Sequence, residues 1–101
     1  MKIQVQSIHF DADVKLLEFI QEKVDKLDKF FDRIIDGEVY LKLDNAVNES
    51  NKIAELIINV PGNQIFSKHQ CKTFEEAITL SVDSVKKQVV KRKEKLARTD
   101  V

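Results

Sequence analysis

The residues of this chain with the clearest chemical potential are the cations near its C-terminal end. Residues 86–98 contain seven Lys or Arg and a single acid, Glu94. At about 100° per residue, four of the cations align along one edge of a helix: Lys87, Lys91, Lys95 and Arg98. The other three spread the charge over the remaining exposed surface: Lys86, Arg92 and Lys93. A rigid cationic surface suits the phosphates of a nucleic acid, because each neutralised phosphate releases a counterion.

A solvated helix end is the alternative explanation for this cationic segment. One or two cations near a helix C-terminus are ordinary, because each complements the macrodipole by about 0.3–1 kcal/mol. Like charges at i, i+4, as at residues 87, 91 and 95, repel by about 0.2–0.5 kcal/mol per pair. Stability alone would not select that arrangement, so the pattern favours binding of an anionic partner.

The other candidates for chemistry are weak. His69 and Cys71 are two residues apart on one side of a predicted strand, and His9 is distant in sequence. A single His-x-Cys pair lacks the three or four ligands that zinc requires, so we expect no metal site. With Gly37 and Gly62 as the only glycines, a Gly-rich phosphate loop is excluded. We therefore expect no cofactor, no small-molecule substrate and no enzyme activity.

Charge is distributed unevenly along the chain although the formal net charge is zero. Residues 1–85 hold 10 Lys or Arg against 15 Asp or Glu, whereas residues 86–101 hold 7 against 2. The chain therefore separates an acidic body from a basic end, which makes electrostatic docking the leading functional class.

Length and composition predict a single small domain. The 101 residues can bury roughly 60–65% of the unfolded surface, enough for one core. The lone Cys71 cannot form an internal disulfide, and no segment approaches the roughly 20 apolar residues of a membrane span. We expect a cytoplasmic protein without a signal peptide.

Apolar spacing predicts the first half of the fold. Residues 2–8 alternate as a strand, and Asp11 or Asp13 can cap the helix that follows. Steps of three and four then run from Val14 to Ile34, which predicts a helix of about five turns. Asp36-Gly37 is expected to end that helix, with Gly as the left-handed stop.

Three more strands and a second helix complete the pattern. Residues 39–43 and 54–60 alternate, Pro61-Gly62 fits a type II turn, and residues 64–72 form a strand of ambiguous facing. Thr73 to Glu76 is a capping box that opens a helix to about Leu96. The predicted fold class is α+β with the order β-α-β-β-β-α, a parallel first strand pair, and both helices on one face of a four-stranded sheet.

Several short motifs run in order along the whole chain: Phe31-Asp32-Arg33-Ile34, Val39 to Leu43 with Lys42, Val60 to Gln64, Ala77-Ile78, Asp83, Gln88, and Lys91 to Leu96. Together they resemble one known family, the short ribosome hibernation promoting factors or ribosome-associated inhibitors of the sigma-54 modulation protein family. Each motif is weak alone, and their order and spacing make the combination specific.

The resemblance implies a fold similar to double-stranded RNA-binding domains. It implies binding to the small ribosomal subunit and its rRNA, in the channel for mRNA and tRNA, with initiation blocked in stationary phase. The implied rRNA contacts are Lys87, Lys91, Arg92, Lys93 and Lys95, extended by Lys86 and Arg98. Weaker candidates on the first helix are Lys23, Lys26 and Arg33.

Two departures from the family pattern limit the expectation. Thr79 and Ser84 stand where some relatives carry Asp and Lys, so the basic face begins later in this chain. We expect residues 1–101 to be one ribosome-binding domain, monomeric when free, with residues 99–101 a disordered tail and no C-terminal dimerisation domain.

Two alternative functions remain open at this point. A general binder of duplex RNA would have comparable affinity for any A-form helix of about 16 base pairs. A protein-interaction module would instead pair the basic helix with an acidic partner or with the chain's own acidic first helix. Concentration-dependent self-association without RNA affinity would favour this alternative.

Overall fold

The structure, a computed structural model, describes residues 1–45 and 50–99, with side chains up to residue 91. The elements in chain order are β1 (Ile3–Ser7), α1 (Val14–Asp25), a short 3-10 helix (Lys26–Lys29), β2 (Asp36–Leu43), β3 (Lys52–Val60), β4 (Asn63–Cys71) and α2 (Phe74–Thr99). The predicted order β-α-β-β-β-α is confirmed. The likeness to double-stranded RNA-binding domains stays a prediction.

The four strands form one mixed sheet in the order β1-β2-β3-β4. β1 pairs with β2 in parallel, and β2–β3 and β3–β4 are antiparallel. This topology is the one expected when a helix joins the first two strands and short turns join the others.

Both helices lie on the same face of the sheet and share one core with it. The two helices contribute fully buried side chains such as Ile20 and Val24 from α1 and Ile78 and Val85 from α2. The predicted inward residues of β3 are all buried: Ala54, Leu56, Ile58 and Val60. The arrangement is the two-layer packing expected for two helices with one apolar stripe each.

The first helix is shorter than the apolar spacing predicts. α1 ends at Asp25 and becomes a 3-10 helix that ends at Lys29. A helix from residue 14 to 34 would be about 32 Å long, whereas a five-residue strand spans about 17 Å. The 12 residues of α1 are about 18 Å long, which matches the length of β1. The chain must then turn back to start β2. Phe31 and Ile34 still pack against the core, from the connection rather than from a helix.

The prediction that Asp36-Gly37 ends the first helix is wrong, because both residues belong to β2. Gly37 is buried between two strands, opposite Ile3 on one side and Ile58 on the other. A Cβ at this position would lie 3.3 Å from Ile58 Cδ1 and 3.4 Å from Met1 Sδ. Close packing in the sheet, rather than a helix stop, is therefore the reason for a glycine here.

The tight turn between β3 and β4 settles the facing of β4. Gly62 has a φ of 76°, as the predicted type II turn requires. The turn pairs Val60 with Asn63 and so places Ile58 opposite Ile65. Ile65 is buried and Phe66 is 51% exposed, because neighbouring residues of a strand point to opposite faces.

Asp13, rather than Asp11, caps α1. Its Oδ1 accepts a hydrogen bond of 2.8 Å from the backbone N–H of Leu16. We expect Asp13→Ala to lower the free energy of unfolding by about 0.5–2 kcal/mol, because an N-terminal N–H loses its partner. Urea denaturation measures this value, with Asp11→Ala as the matched control. An equal loss from both substitutions would contradict the assignment of the cap.

α2 continues to Thr99, three residues past the predicted end. Thr99 therefore belongs to the helix and not to the predicted tail, whose last two residues lie outside the described part of the chain. Neither α1 nor α2, as far as the structure describes them, combines the length and apolar character needed to cross a membrane.

Candidate nucleic-acid interface

α2 is packed against the sheet as far as Val89, which lies inside its cationic segment. Val82, Val85 and Val89 are buried on its inner side. Gln88 Nε2 donates a hydrogen bond of 3.0 Å to the backbone oxygen of Phe66, at the outer edge of β4. The cations that follow therefore start from a fixed position on the fold.

The forward hydrogen bond of the predicted capping box is present at the beginning of α2. Thr73 Oγ1 accepts a hydrogen bond of 3.1 Å from the backbone N–H of Glu76. The capped helix has 26 residues and a length of about 39 Å. Its N-terminal turn is acidic, with Glu75 and Glu76, so the helix is polarised in the sense that stabilises its dipole.

Lys87 and Lys91 point into solvent from this anchored helix. Both side chains are exposed, and they stand one turn apart on the same edge. None of the ion pairs found among the residues with described side chains involves either lysine. Within that part of the chain, no carboxylate neutralises either charge.

Lys86 has a different environment from the two lysines that follow it. Its Nζ lies 4.1 Å from the centre of the Phe30 ring, in a cation–π contact. Phe30 belongs to the connection between α1 and β2, so this contact links that connection to the cationic segment of α2. The sequence gives no periodic signal for such a contact, because the two residues are 56 positions apart.

Four predicted contacts stand on the last part of α2. Their backbone is helical, which agrees with a rigid cationic element, and their side chains lie outside the described part of the chain: Arg92, Lys93, Lys95 and Arg98. Their role as RNA contacts stays a prediction.

The three weaker candidates are dispersed over α1 and the connection to β2. Lys23 is half-buried with its Nζ 5.5 Å from the centre of the Phe19 ring. Lys26 is exposed at the C-terminal cap of α1, and Arg33 is exposed shortly before β2. The contact between Phe30 and Lys86 brings the connection that carries Arg33 next to α2.

The outer face of the sheet offers less free positive charge than α2. Lys42 Nζ lies 3.2 Å and Lys68 Nζ 3.6 Å from the same carboxylate oxygen of Glu55. The Glu55 side chain is only 15% exposed, so solvent screens these pairs less than fully exposed ones. The helix face is therefore the stronger candidate for phosphate binding.

His69 has a structural environment. Its Nδ1 lies 3.3 Å from Ser67 Oγ and 3.2 Å from Ser81 Oγ, and both serines are buried. The imidazole thus serves as the hydrogen-bond partner of two buried hydroxyl groups between β4 and α2. Within the described residues, no group of three His, Cys, Asp or Glu could hold a metal ion.

Cys71 is half-buried. The pKa of its thiol is raised, mainly by burial and to a smaller extent by the nearby charge of Glu76. The thiolate is the reactive form, so we expect the folded protein to react with a disulfide reagent at pH 8 more slowly than the urea-unfolded protein. The rate should increase as the pH rises through the raised pKa. Equal rates in the two states would contradict the protected environment.

A family model decides which proteins this chain is related to. The model for "Sigma 54 modulation protein / S30EA ribosomal protein" matches residues 3–97. The chain belongs to this family. The match spans all four strands, α1, and α2 up to residue 97, so it includes the core and six of the seven cations of residues 86–98.

Three curated relatives of this S30EA-family chain carry the name ribosome hibernation promoting factor. The protein from Klebsiella oxytoca is 28% identical over 96 residues, covering 95% of this chain and 97% of the relative. The protein from Escherichia coli K12 is 27% identical, with the same coverage. A relative from Azotobacter vinelandii is 25% identical over 94% of this chain and 85% of its own length.

Solved structures show the same fold. A ribosomal subunit interface protein from Coxiella burnetii superimposes with a TM-score of 0.80 at 20% identity, covering 93% of this chain and 99% of that chain. The N-terminal domain of Thermus thermophilus Protein Y superimposes with a TM-score of 0.77 at 21% identity, covering 88% and 96%. This chain therefore shares its fold with both solved structures.

Proposed function

We propose that this chain is a ribosome hibernation factor that binds the small ribosomal subunit with the cationic end of α2 along rRNA phosphates. The observation that carries the proposal is the pair of exposed lysines, Lys87 and Lys91, on a helix anchored by buried valines. Family membership and relatives named ribosome hibernation promoting factor support it.

The bound protein occupies the channel that otherwise holds mRNA and tRNA, and it blocks initiation in stationary phase by occupying space. This action requires no bond-making step and no cofactor, so we propose that the chain is not an enzyme. Before it binds a small subunit, the protein is a free monomer in the cytoplasm.

Electrostatics set the strength of this interaction. Each phosphate contact releases a condensed counterion. With about six contacts, raising the salt from 50 to 200 mM should therefore lower the affinity roughly 10³-fold. The acidic body of the chain, with 15 Asp or Glu in residues 1–85, does not favour phosphate. Binding should therefore be oriented, with the cationic part of α2 facing the RNA.

Sedimentation with purified small subunits tests the proposal. We expect the protein to sediment with small subunits at low salt, to be released at high salt, and to compete with mRNA and initiator tRNA. Equal affinity for a free A-form duplex of about 16 base pairs would instead indicate a general duplex-RNA binder. Self-association without RNA affinity would indicate a protein-interaction module, and either result would overturn the proposal.

A further inference from the structure

The early end of α1 gives Phe30 a position that the apolar pattern of the sequence does not predict. Because regular helix stops at Asp25 and the 3-10 helix at Lys29, Phe30 lies on the connection to β2. Its backbone N–H donates to the backbone oxygen of Leu27 at 3.0 Å, which holds the backbone of Phe30 at the end of the 3-10 helix. Leu27 itself is buried, so this point of the connection is attached to the core.

The Phe30 ring is directed toward α2 rather than into the core. It is 39% exposed, and the ammonium of Lys86 stands 4.1 Å from its centre. Lys86 follows Val85, which is fully buried, so its backbone is as well fixed as that of Phe30. Two anchored elements thus meet through one aromatic ring and one cation.

A lysine on an exposed helix surface normally samples many rotamers, and binding a phosphate requires that this freedom be lost. An aromatic face within about 6 Å attracts the ammonium and restricts those rotamers before any partner arrives. An ammonium has three N–H donors, so a contact with the ring leaves donors for a phosphate oxygen.

We propose that Phe30 is a positioning residue for RNA binding, which holds Lys86 at the junction of α2 and the α1–β2 connection so that the cationic surface begins there. This inference rests on the proposed function. It assigns to Phe30 no contact with RNA of its own. The effect of Phe30 on binding should therefore depend on the presence of Lys86.

A double-mutant cycle on small-subunit affinity tests this dependence. Phe30→Leu keeps an apolar side chain and removes the aromatic face, and we expect it to weaken binding about two- to fivefold. Lys86→Met should weaken binding and reduce the slope of log affinity against log salt by about one. In the Lys86→Met background, Phe30→Leu should cause no further loss, and Phe30→Trp in the wild-type background should retain affinity.

Two controls separate positioning from folding. Phe66→Leu removes another exposed aromatic ring, on the outer face of the sheet, and should leave affinity unchanged. In the free protein, NMR should show the Hε protons of Lys86 shifted upfield by the ring, and Phe30→Leu should abolish that shift.

The outcomes distinguish the two proposals. If the wild type binds small subunits and Phe30→Leu weakens binding equally with and without Lys86, or if the upfield shift is absent, the positioning role is wrong and the proposed function stands. If the wild type does not bind small subunits at all, the proposed function fails and the positioning role with it.

Discussion

Replacing Lys87, Lys91 and Lys95 with glutamate should abolish co-sedimentation with small ribosomal subunits at 100 mM salt. Each lysine that neutralises a phosphate contributes about one unit to the salt slope, and reversal adds repulsion to the lost attraction. Removing three of about six contacts lowers the salt slope by about 2.7, so the remaining affinity should depend far less on salt. Sedimentation across 50–200 mM salt measures both effects.

A matched variant controls for net charge. Lys2, Lys15 and Lys68→Glu changes the net charge by the same amount on exposed residues away from the cationic end of α2. Lys68 is 53% exposed, and Lys42 still pairs with the same oxygen of Glu55, so the reversal of Lys68 should cost little stability. This variant should bind almost as well as the wild type. Equal binding by the two triple variants would show that α2 is not the RNA-binding element.

Val85→Asp should unfold the domain or lower its free energy of unfolding by about 4 kcal/mol or more. Val85 is fully buried between α2 and the sheet, and a carboxylate there would be desolvated without a partner. Domains of this size have a stability of about 5–15 kcal/mol, so the loss is a large part of the total. Each kcal/mol shifts the Tm of a domain of about 100 residues by roughly 4–8 °C, which calorimetry or circular dichroism detects readily.

Val90→Asp is the matched control on the same helix. Val90 is 42% exposed, so the same substitution leaves the carboxylate in water. We expect a change below about 1 kcal/mol, mainly from helix propensity. If the two substitutions cost the same, the orientation of α2 on the sheet would be wrong, and with it the outward direction of Lys87.

The local pattern of the sequence predicts most of the elements, because each is encoded by residues close together in the chain. Alternation in β3, the Pro61-Gly62 turn and the Thr73 cap all appear in the structure as predicted. Each depends on contacts within a few residues or on one buried face. The parallel β1–β2 pair follows from the helix that joins the two strands, because a helical crossover returns the chain to the end of the sheet where β1 began, and it is also confirmed.

The length of α1 could not be derived in the same way. Leu27, Phe31 and Ile34 continue the apolar spacing of the helix, yet Phe31 and Ile34 reach the core from the connection. A continued helix and the observed connection would both bury these side chains, so apolar spacing cannot distinguish the two conformations. The distance that the chain must cross between β1 and β2 decides the end of the helix, and that distance is a property of the assembled sheet.

The candidate site also has a part that the local sequence predicts and a part that it does not. The seven cations of residues 86–98 and the apolar stripe of Val82, Val85 and Val89 identify a cationic, anchored helix from the sequence alone, because both depend on a local period of 3.6. The sequence by itself therefore determined the presence of the cationic element and the side of the helix that is buried. Only the tertiary structure placed Phe30 beside Lys86 and joined Lys42 and Lys68 through Glu55. Those contacts join separate elements, so they exist only once the sheet has brought the elements together.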